Sequence, residues 1–167
     1  MVRRLAPAEW ESLRELRLSA LLDAPGAFAS SIERERSEPE TRWRERIARH
    51  ACFVAEVRGE RVGLAAGKPS YDGIADRRDL ISMWVHPAHR GRGVGTGLMR
   101  AVVEWAASDG AREVALWVAD GNTAAAAAYR RAGFVPTGRR QPLPSNPAVG
   151  EEEWVLAIPA LDEGRAS

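Results

Sequence analysis

The feature that most constrains the fold of this chain is a glycine-dense loop set between an apolar strand and an amphipathic helix. Residues 80–85 are an apolar run typical of a buried strand, and Pro87 ends it. Glycine then occupies alternate positions, and apolar side chains recur at helical spacing from 93 to 108. The first N–H groups of a helix lack internal partners, and the helix dipole adds partial positive charge there. The segment therefore predicts an anion site suited to a pyrophosphate, with Arg90 and Arg92 beside it.

Two common nucleotide-binding motifs do not match this loop. A phosphate-binding P-loop needs Lys and then Ser or Thr after its last glycine, and the loop contains no lysine. A dinucleotide fingerprint needs Gly-x-Gly-x-x-Gly. The frames that start at Gly91, Gly93 and Gly95 all carry another residue at the final position. The loop is therefore not expected to belong to either class.

The remaining segments predict a mixed α/β (α+β) fold. Apolar spacing predicts helices over 8–22, 39–49, 93–108 and 122–131, and strands over 52–58, 61–67, 80–85, 114–118, 134–139 and 153–158. Residues 58–61 are a hairpin signal between the first two strands, and a proline-rich loop over 140–150 is expected between the last two. We expect a single domain over 1–167, with a polar tail at 162–167.

Composition gives no sign of a nucleic-acid or membrane partner. The chain of 167 residues carries 24 basic and 23 acidic side chains, for a net charge of +1. No apolar run approaches the roughly 18 residues of a membrane span, and no apolar signal core follows the basic N-terminus. The single cysteine, Cys52, cannot form an internal disulfide, and its apolar neighbours predict burial. We expect a cytoplasmic protein.

Two motifs resemble those of the GCN5-related N-acetyltransferases. Arg90-x-x-Gly93-x-Gly95, directly after the strand, closely resembles the coenzyme-A-binding motif of that family. A second family signature is resembled by Asn122-x-x-Ala125-x-x-x-Tyr129-x-x-x-Gly133-Phe134. The two blocks lie in the family's order, and the segments outside them fit by pattern. The resemblance implies an acyl-CoA N-acyltransferase fold, with a central mixed sheet of about six or seven strands flanked by about four helices.

The resemblance also implies acetyl-coenzyme A as co-substrate and no metal. The residues implied to bind the coenzyme are Trp84, Val85, Arg90, Gly91, Arg92, Gly93, Val94, Gly95, Thr96, Asn122, Ala125 and Tyr129. Asn122 would also suit the N-cap of its helix and Tyr129 a core position, so these interpretations stay open. His86 and His89 are close in sequence, but Pro87 breaks helical geometry between them. No Cys or carboxylate cluster joins them, which argues against a metal site.

Direct transfer of acetyl to an amine in a ternary complex is the reaction that the resemblance implies. The backbone N–H of Val85 would polarise the thioester carbonyl, and Tyr129 would stabilise the leaving thiolate. The attacking amine must lose a proton, and Asp79, near the start of the strand, is the candidate base. Glu33 and Glu35 are alternatives, and each of the three carboxylates could instead be a solvated surface charge.

The sequence does not name the acceptor. A primary amine of a small molecule is the expected substrate, while a protein or peptide amine and a catalytically silent coenzyme-A sensor remain alternatives. Pocket walls are expected from Phe28, Ser30, Ser31 and Tyr71 by analogy of fold. A homodimer would cover the sheet edges. The arginine- and alanine-rich composition with one lysine indicates a GC-rich, bacterial genome.

Overall fold

The helices and strands of the chain follow the periodic segments of its sequence. The computed structural model describes residues 1–159, so the predicted tail at 162–167 lies outside the described residues. Its strands are β1 (Val2–Arg4), β2 (Ala51–Val57), β3 (Glu60–Pro69), β4 (Arg77–Val85), β5 (Glu113–Ala119), β6 (Val135–Leu143) and β7 (Asn146–Ala157). Its α-helices are α1 (Trp10–Asp23), α2 (Ile32–Arg36), α3 (Glu40–Arg49), α4 (Val94–Ser108) and α5 (Thr123–Arg131). None of these helices of the described residues is both long and apolar enough to cross a membrane.

One mixed sheet organises residues 1–159. Its seven strands have the order β1-β2-β3-β4-β5-β7-β6. β4 and β5 run parallel, and all other neighbouring pairs are antiparallel. α4 is the crossover that this parallel pair needs. The predicted mixed sheet of six or seven strands with helices on its faces is confirmed.

Apolar side chains cover both faces of the sheet. α4 and α5 pack on one face, in a core that includes Leu98 and Phe134. α1 and α3 pack on the other face, in a core that includes Leu21 and Trp43. Cys52 lies in this second core, and burial raises the pKa of its thiol to about 12. The predicted burial of this cysteine is confirmed.

The turn between β2 and β3 is the tight hairpin that the sequence predicts. Arg58 (φ 52°) and Gly59 (φ 84°) both adopt left-handed conformations. This combination is typical of a type I′ turn, whose twist matches that of the two strands.

The chain after α5 differs from the sequence-based expectation. We expected a proline-rich loop over 140–150, but β6 runs to Leu143 and β7 begins at Asn146, so the strands form one long hairpin. β6 is the last strand of the sheet, and an edge strand tolerates proline because one of its sides has no partner. Two short elements were not predicted. β1 has three residues, and α2 is a five-residue helix at Ile32–Arg36, before the predicted helix over 39–49.

β4 and β5 separate soon after they begin, and this opens the sheet. Their parallel pairing joins only Arg77–Asp79 to Glu113–Ala115. Farther along, Ser82 has a φ of 57°, and the pairing of β4 with β3 shifts register between Leu64 and Ala66. Such a bulge bends its strand locally. The result is a gap between the carboxyl-terminal halves of β4 and β5.

Candidate active site

A cavity of about 560 Å³ lies at the gap between β4 and β5. Residues 79–83 of β4 and 116–119 of β5 line it on the sheet. The loop at 27–30 and the β6–β7 hairpin form two walls, and α5 contributes Tyr129. Because α5 and the loop before α2 lie on opposite faces of the sheet, the cavity connects the two faces.

The backbone N–H of Val85 points into this gap. His86 donates its N–H to the Val62 carbonyl at 2.8 Å, so Val85 and Gly63 face each other without mutual hydrogen bonds. In such a pair each N–H points away from the partner strand, which for Val85 is the side from which β5 has separated. The carbonyl of Val85 accepts a 2.9 Å bond from Arg90 Nε. Within the part of the chain that the structure describes, the Val85 N–H is therefore free on the side of the gap, and its role as the oxyanion donor stays a prediction.

The backbone of Trp84 faces β3 and not the gap, and its side chain links β4 to α1. Its backbone lies opposite Leu64 of β3, and its buried indole donates a 2.9 Å bond to Asp23 at the end of α1. Asp23 also accepts a bond from Arg90, and the two donors keep the pKa of its carboxyl below the usual value, the Trp84 bond being the larger cause. One carboxylate thus joins α1, β4 and the glycine loop. Sequence reasoning missed Asp23, since no local pattern marks it.

The glycine loop presents free backbone donors at the start of α4. Gly91 (φ 71°) and Gly93 (φ 80°) are left-handed, and a Cβ at either position would meet open space. Among the described residues, the N–H groups of 94–96 have no acceptor, and Gly93 supplies no side-chain cap. Free donors, an open approach and the helix dipole fit a diphosphate group. The residues predicted to bind coenzyme A, Gly91 to Thr96, therefore suit that ligand.

Asn122 and Ala125 line the cavity at the start of α5. Asn122 Oδ1 accepts the Ala125 N–H at 3.3 Å, so its interpretation as a helix cap is confirmed. Its place on the cavity surface leaves the predicted contact with coenzyme A open to it as well.

Tyr129 is buried but reaches the cavity from α5. Its ring meets that of Phe134 edge to face, with centroids 5.8 Å apart, so it is also the core aromatic that the sequence allowed. Burial raises the pKa of its hydroxyl well above the usual value. The hydroxyl therefore keeps its proton at neutral pH and can act as a hydrogen-bond donor.

Asp79 lies on the cavity surface at the point where β4 leaves β5. Burial raises the pKa of its carboxyl, although the Tyr71 N–H donates to it at 2.8 Å and Lys68 Nζ lies 3.9 Å away. A carboxylate with a raised pKa accepts a proton more readily than a solvated one. Asp79 therefore lines the cavity with a raised pKa, and its role as the base stays a prediction.

The two alternative bases lie outside the cavity lining. Glu33 is exposed on α2, whereas Glu35 is 2% exposed. The Glu35 carboxylate binds Arg17 at 2.9 Å and Arg46 at 2.8 Å. Burial alone would raise the pKa of Glu35, but the two arginines outweigh it and lower the pKa. Glu35 is thus neither a base beside the cavity nor a solvated charge, and Arg17, which also lines the cavity, was missed by sequence reasoning.

Three of the four residues expected to form acceptor-pocket walls line the cavity, namely Phe28, Ser30 and Tyr71. Ser31 does not line it. Its hydroxyl caps α2 instead, where it accepts the Arg34 N–H at 3.3 Å. The expectation for Ser31 is corrected for that reason.

A hydrogen bond bridges two walls of the cavity. Ser145 Oγ, at the tip of the β6–β7 hairpin, donates to the Phe28 carbonyl at 2.5 Å. The Arg17 guanidinium lies 4.7 Å from the centroid of the Phe28 ring and supports the same wall. This hydrogen bond therefore connects the hairpin to the loop at 27–30, and the cavity is not a continuous open groove.

The described residues contain no group of three or more His, Cys, Asp or Glu side chains that could hold a metal. His86 Nδ1 accepts the Ala88 N–H at 3.2 Å, and its ring centroid lies 5.9 Å from that of His89. This pair is part of the short turn between β4 and the glycine loop.

Comparison with known proteins identifies a family. A sequence model described as the Acetyltransferase (GNAT) family matches residues 10–134. An uncharacterised N-acetyltransferase of Methanocaldococcus jannaschii is 38% identical over 85 residues, which are 49% of this chain and 38% of that protein. Streptothricin acetyltransferase of Streptomyces lavendulae is 35% identical over 102 residues, which are 60% of this chain and 53% of that protein. The match therefore spans between 38% and 53% of the length of these relatives.

A solved structure shares the fold over the whole chain. That of yncA from Salmonella typhimurium with its cofactor acetyl-CoA has a TM-score of 0.75 and 21% identity, and the match covers 100% of this chain and 98% of that one. The acyl-CoA N-acyltransferase fold that the sequence motifs implied is confirmed.

Proposed function

Because this chain belongs to the acetyltransferase (GNAT) family, we propose that it is an N-acetyltransferase that moves acetyl from acetyl-coenzyme A to a primary amine of a small molecule. The observation that carries the proposal is one cavity that connects both sheet faces and is lined by Asp79 and Tyr129, at the gap that the Val85 N–H faces. These groups would supply a proton acceptor, a hydroxyl donor and a backbone donor.

The coenzyme would be held by the backbone of residues 91–96 and by the edge of the gap. The free N–H groups at the start of α4 would receive the diphosphate, with Arg92 beside them. Val85 and Asn122 would contact the arm that leads into the cavity. When bound, acetyl-coenzyme A supplies the activated acetyl thioester.

Each of three groups of this chain would have one task in the transfer. The Val85 N–H would donate to the carbonyl oxygen as negative charge develops, and one such donor is worth about 3–4 kcal/mol. Asp79 would accept the proton that the amine loses by way of a chain of waters, because it lies six residues before Val85 on β4. The hydroxyl of Tyr129 would donate a hydrogen bond to the departing sulfur. Full proton transfer is uphill by about 2 kcal/mol for a free tyrosine and thiol, and the raised pKa of Tyr129 adds to that.

The bridge between Ser145 and Phe28 supports a small acceptor over a peptide. A peptide needs an open groove so that its chain can enter and leave, and this hydrogen bond joins two walls of the cavity. The name of the Streptomyces relative points to a small-molecule acceptor for that protein.

A panel of acceptors tests the proposal. The protein is incubated with acetyl-coenzyme A and with amino acids, polyamines, aminoglycosides or short peptides, and the products are identified by mass spectrometry. Acetylated small amines without acetylated peptides would support it. Acetylation of peptides alone, or of no acceptor, would contradict it.

A further inference from the structure

Glu151 of β7 is a buried carboxylate that the proposed reaction leaves without a task. It is 5% exposed and lines the cavity. Gln141 Nε2 donates to its Oε1 at 2.7 Å. Burial raises the pKa of its carboxyl, and the Gln141 bond only partly opposes this. A buried carboxylate is costly unless a cation or several hydrogen bonds compensate it.

The other charged side chains that line the cavity are paired. The pairs are Arg17 with Glu35 (2.9 Å), Lys68 with Asp79 (3.9 Å), Arg139 with Asp72 (2.6 Å) and Glu153 with Arg77 (3.1 Å). Within residues 1–159, Glu151 is the one cavity-lining charge that has no ion-pair partner. A positively charged ligand in the cavity would give Glu151 the ion-pair partner that the other charged side chains have.

We propose that Glu151 binds a second cationic group of the acceptor, an ammonium or guanidinium other than the amine that is acetylated. This assignment of Glu151 rests on the proposed function. It implies that the acceptors are amines that carry at least two cationic groups. A cation beside a desolvated carboxylate forms a charge-assisted hydrogen bond, which is stronger than its counterpart at the surface.

The sheet register places Glu151 apart from the candidate base. Asp79 lies opposite Ala115 of β5, and Glu151 lies opposite Ala119 of the same strand. Two strand spacings and four residue rises separate the two Cα atoms, a distance of about 16 Å. One ammonium cannot touch both carboxylates from such positions unless both side chains converge on it. The arrangement therefore suits an elongated acceptor with a charge at each end.

Steady-state kinetics with linear diamines, and with monoamines of matching length from four to ten carbons, test this assignment. We expect the wild-type protein to favour the best diamine by about tenfold or more in kcat/KM, the worth of a hydrogen bond to a charged group. Glu151→Gln should abolish that preference by raising the KM for diamines, with kcat and the use of monoamines unchanged. Glu152→Gln is the matched control, because Glu152 alternates to the other face and pairs with Arg140 at 3.3 Å.

Several outcomes would overturn the assignment. Diamines and monoamines used equally by the wild-type protein would do so, as would a diamine preference that survives in Glu151→Gln. A loss of kcat at unchanged KM would give Glu151 a part in proton transfer instead of binding. Circular dichroism and the melting temperature verify that each variant is folded.

Calorimetric titration of the same diamines separates this site from the proposed function. If Glu151→Gln weakens diamine binding about tenfold, the site is supported even when neither the wild type nor the variants transfer acetyl. The absence of acetyl transfer would then count against the proposed function alone. Equal diamine binding by wild type, Glu151→Gln and Glu152→Gln overturns the site whatever the transfer assay shows.

Discussion

The hydroxyl of Ser145 donates a 2.5 Å hydrogen bond to the carbonyl of Phe28, 117 positions earlier in the chain. One partner lies at the tip of the C-terminal hairpin and the other in the loop before α2. Both segments line the cavity by way of Phe28 and Pro144. The bond therefore sets how far apart two walls of the cavity stand.

Removal of this bridge should widen the range of acceptors. Ser145→Ala deletes one hydrogen bond, which costs about 1 kcal/mol and frees the two walls to separate. We expect the ratio of kcat/KM between small amines and lysine-containing peptides to fall. Ser108→Ala is the control, since Ser108 Oγ donates to the Trp105 carbonyl at 2.7 Å on α4. An unchanged ratio in Ser145→Ala would mean that the bridge does not select the acceptor.

The hydroxyl of Tyr129 should affect turnover more than coenzyme binding. Tyr129→Phe keeps the edge-to-face contact with Phe134 and removes only the donor. Loss of a hydrogen bond to the charge that develops on sulfur should lower kcat about tenfold to hundredfold. The dissociation constant of coenzyme A, measured by calorimetry, should change less than kcat. Equal turnover of the two proteins would remove Tyr129 from the mechanism.

Asp79 should give the reaction its acid limb. Burial raises the pKa of this carboxyl above the usual 3.8, and the base works only when ionised, so kcat/KM should fall as the pH drops through the raised pKa. Protonation of the amine itself gives log kcat/KM a slope of one against pH. Below the raised pKa of Asp79, the wild-type slope should therefore steepen to two. Asp79→Asn should keep a slope of one and lower kcat by about a hundredfold or more.

The matched control for this position is Asp76→Asn, because Asp76 is exposed and lies just before β4. It should reproduce the wild-type profile. A slope that still steepens to two in Asp79→Asn would assign the base elsewhere.

Glu35 should contribute to stability and not to catalysis. It is 2% exposed, and Glu35→Gln would leave Arg17 and Arg46 without their shared carboxylate, a change that typically costs about 3–5 kcal/mol. Its pKa is lowered on folding, so its stabilisation is present above the usual 4.5 and is lost as the pH falls through the folded value.

The melting temperatures of wild type and Glu35→Gln should therefore differ at neutral pH and converge below pH 4.5. Glu45→Gln, which removes an exposed partner of Arg42 on α3, should melt like the wild type. A constant difference at all pH values would show that the ionised carboxylate is not the stabilising group.

Local sequence patterns predicted the parts of the site that depend on backbone conformation. The glycine spacing identified a loop whose Gly91 and Gly93 are left-handed, and the hydrophobic periodicity located β4 and α4 on either side of it. The second motif placed Tyr129 on α5, where it reaches the cavity. These features are short-range, and a few neighbouring residues determine them.

Contacts between distant segments could not be predicted in this way. Glu35 is buried because Arg17 of α1 and Arg46 of α3 converge on it, and a charged stretch in the sequence gives no sign of that convergence. Pro142 suggested a loop, because proline alone does not reveal that its strand lies at a sheet edge. Glu151 follows no local motif, and only the pairing of β5 with β7 brings it to the cavity.

Thiol release from acetyl-coenzyme A, followed with and without an amine acceptor, tests whether this protein transfers acetyl to amines. We expect release above the acceptor-free rate in the wild-type protein, with one acetyl group on the amine for each thiol of that excess. The excess should disappear in a protein that carries both Asp79→Asn and Tyr129→Phe. Thiol release that is the same with and without amine across the acceptor panel, or an undiminished excess in the double variant, would contradict these expectations.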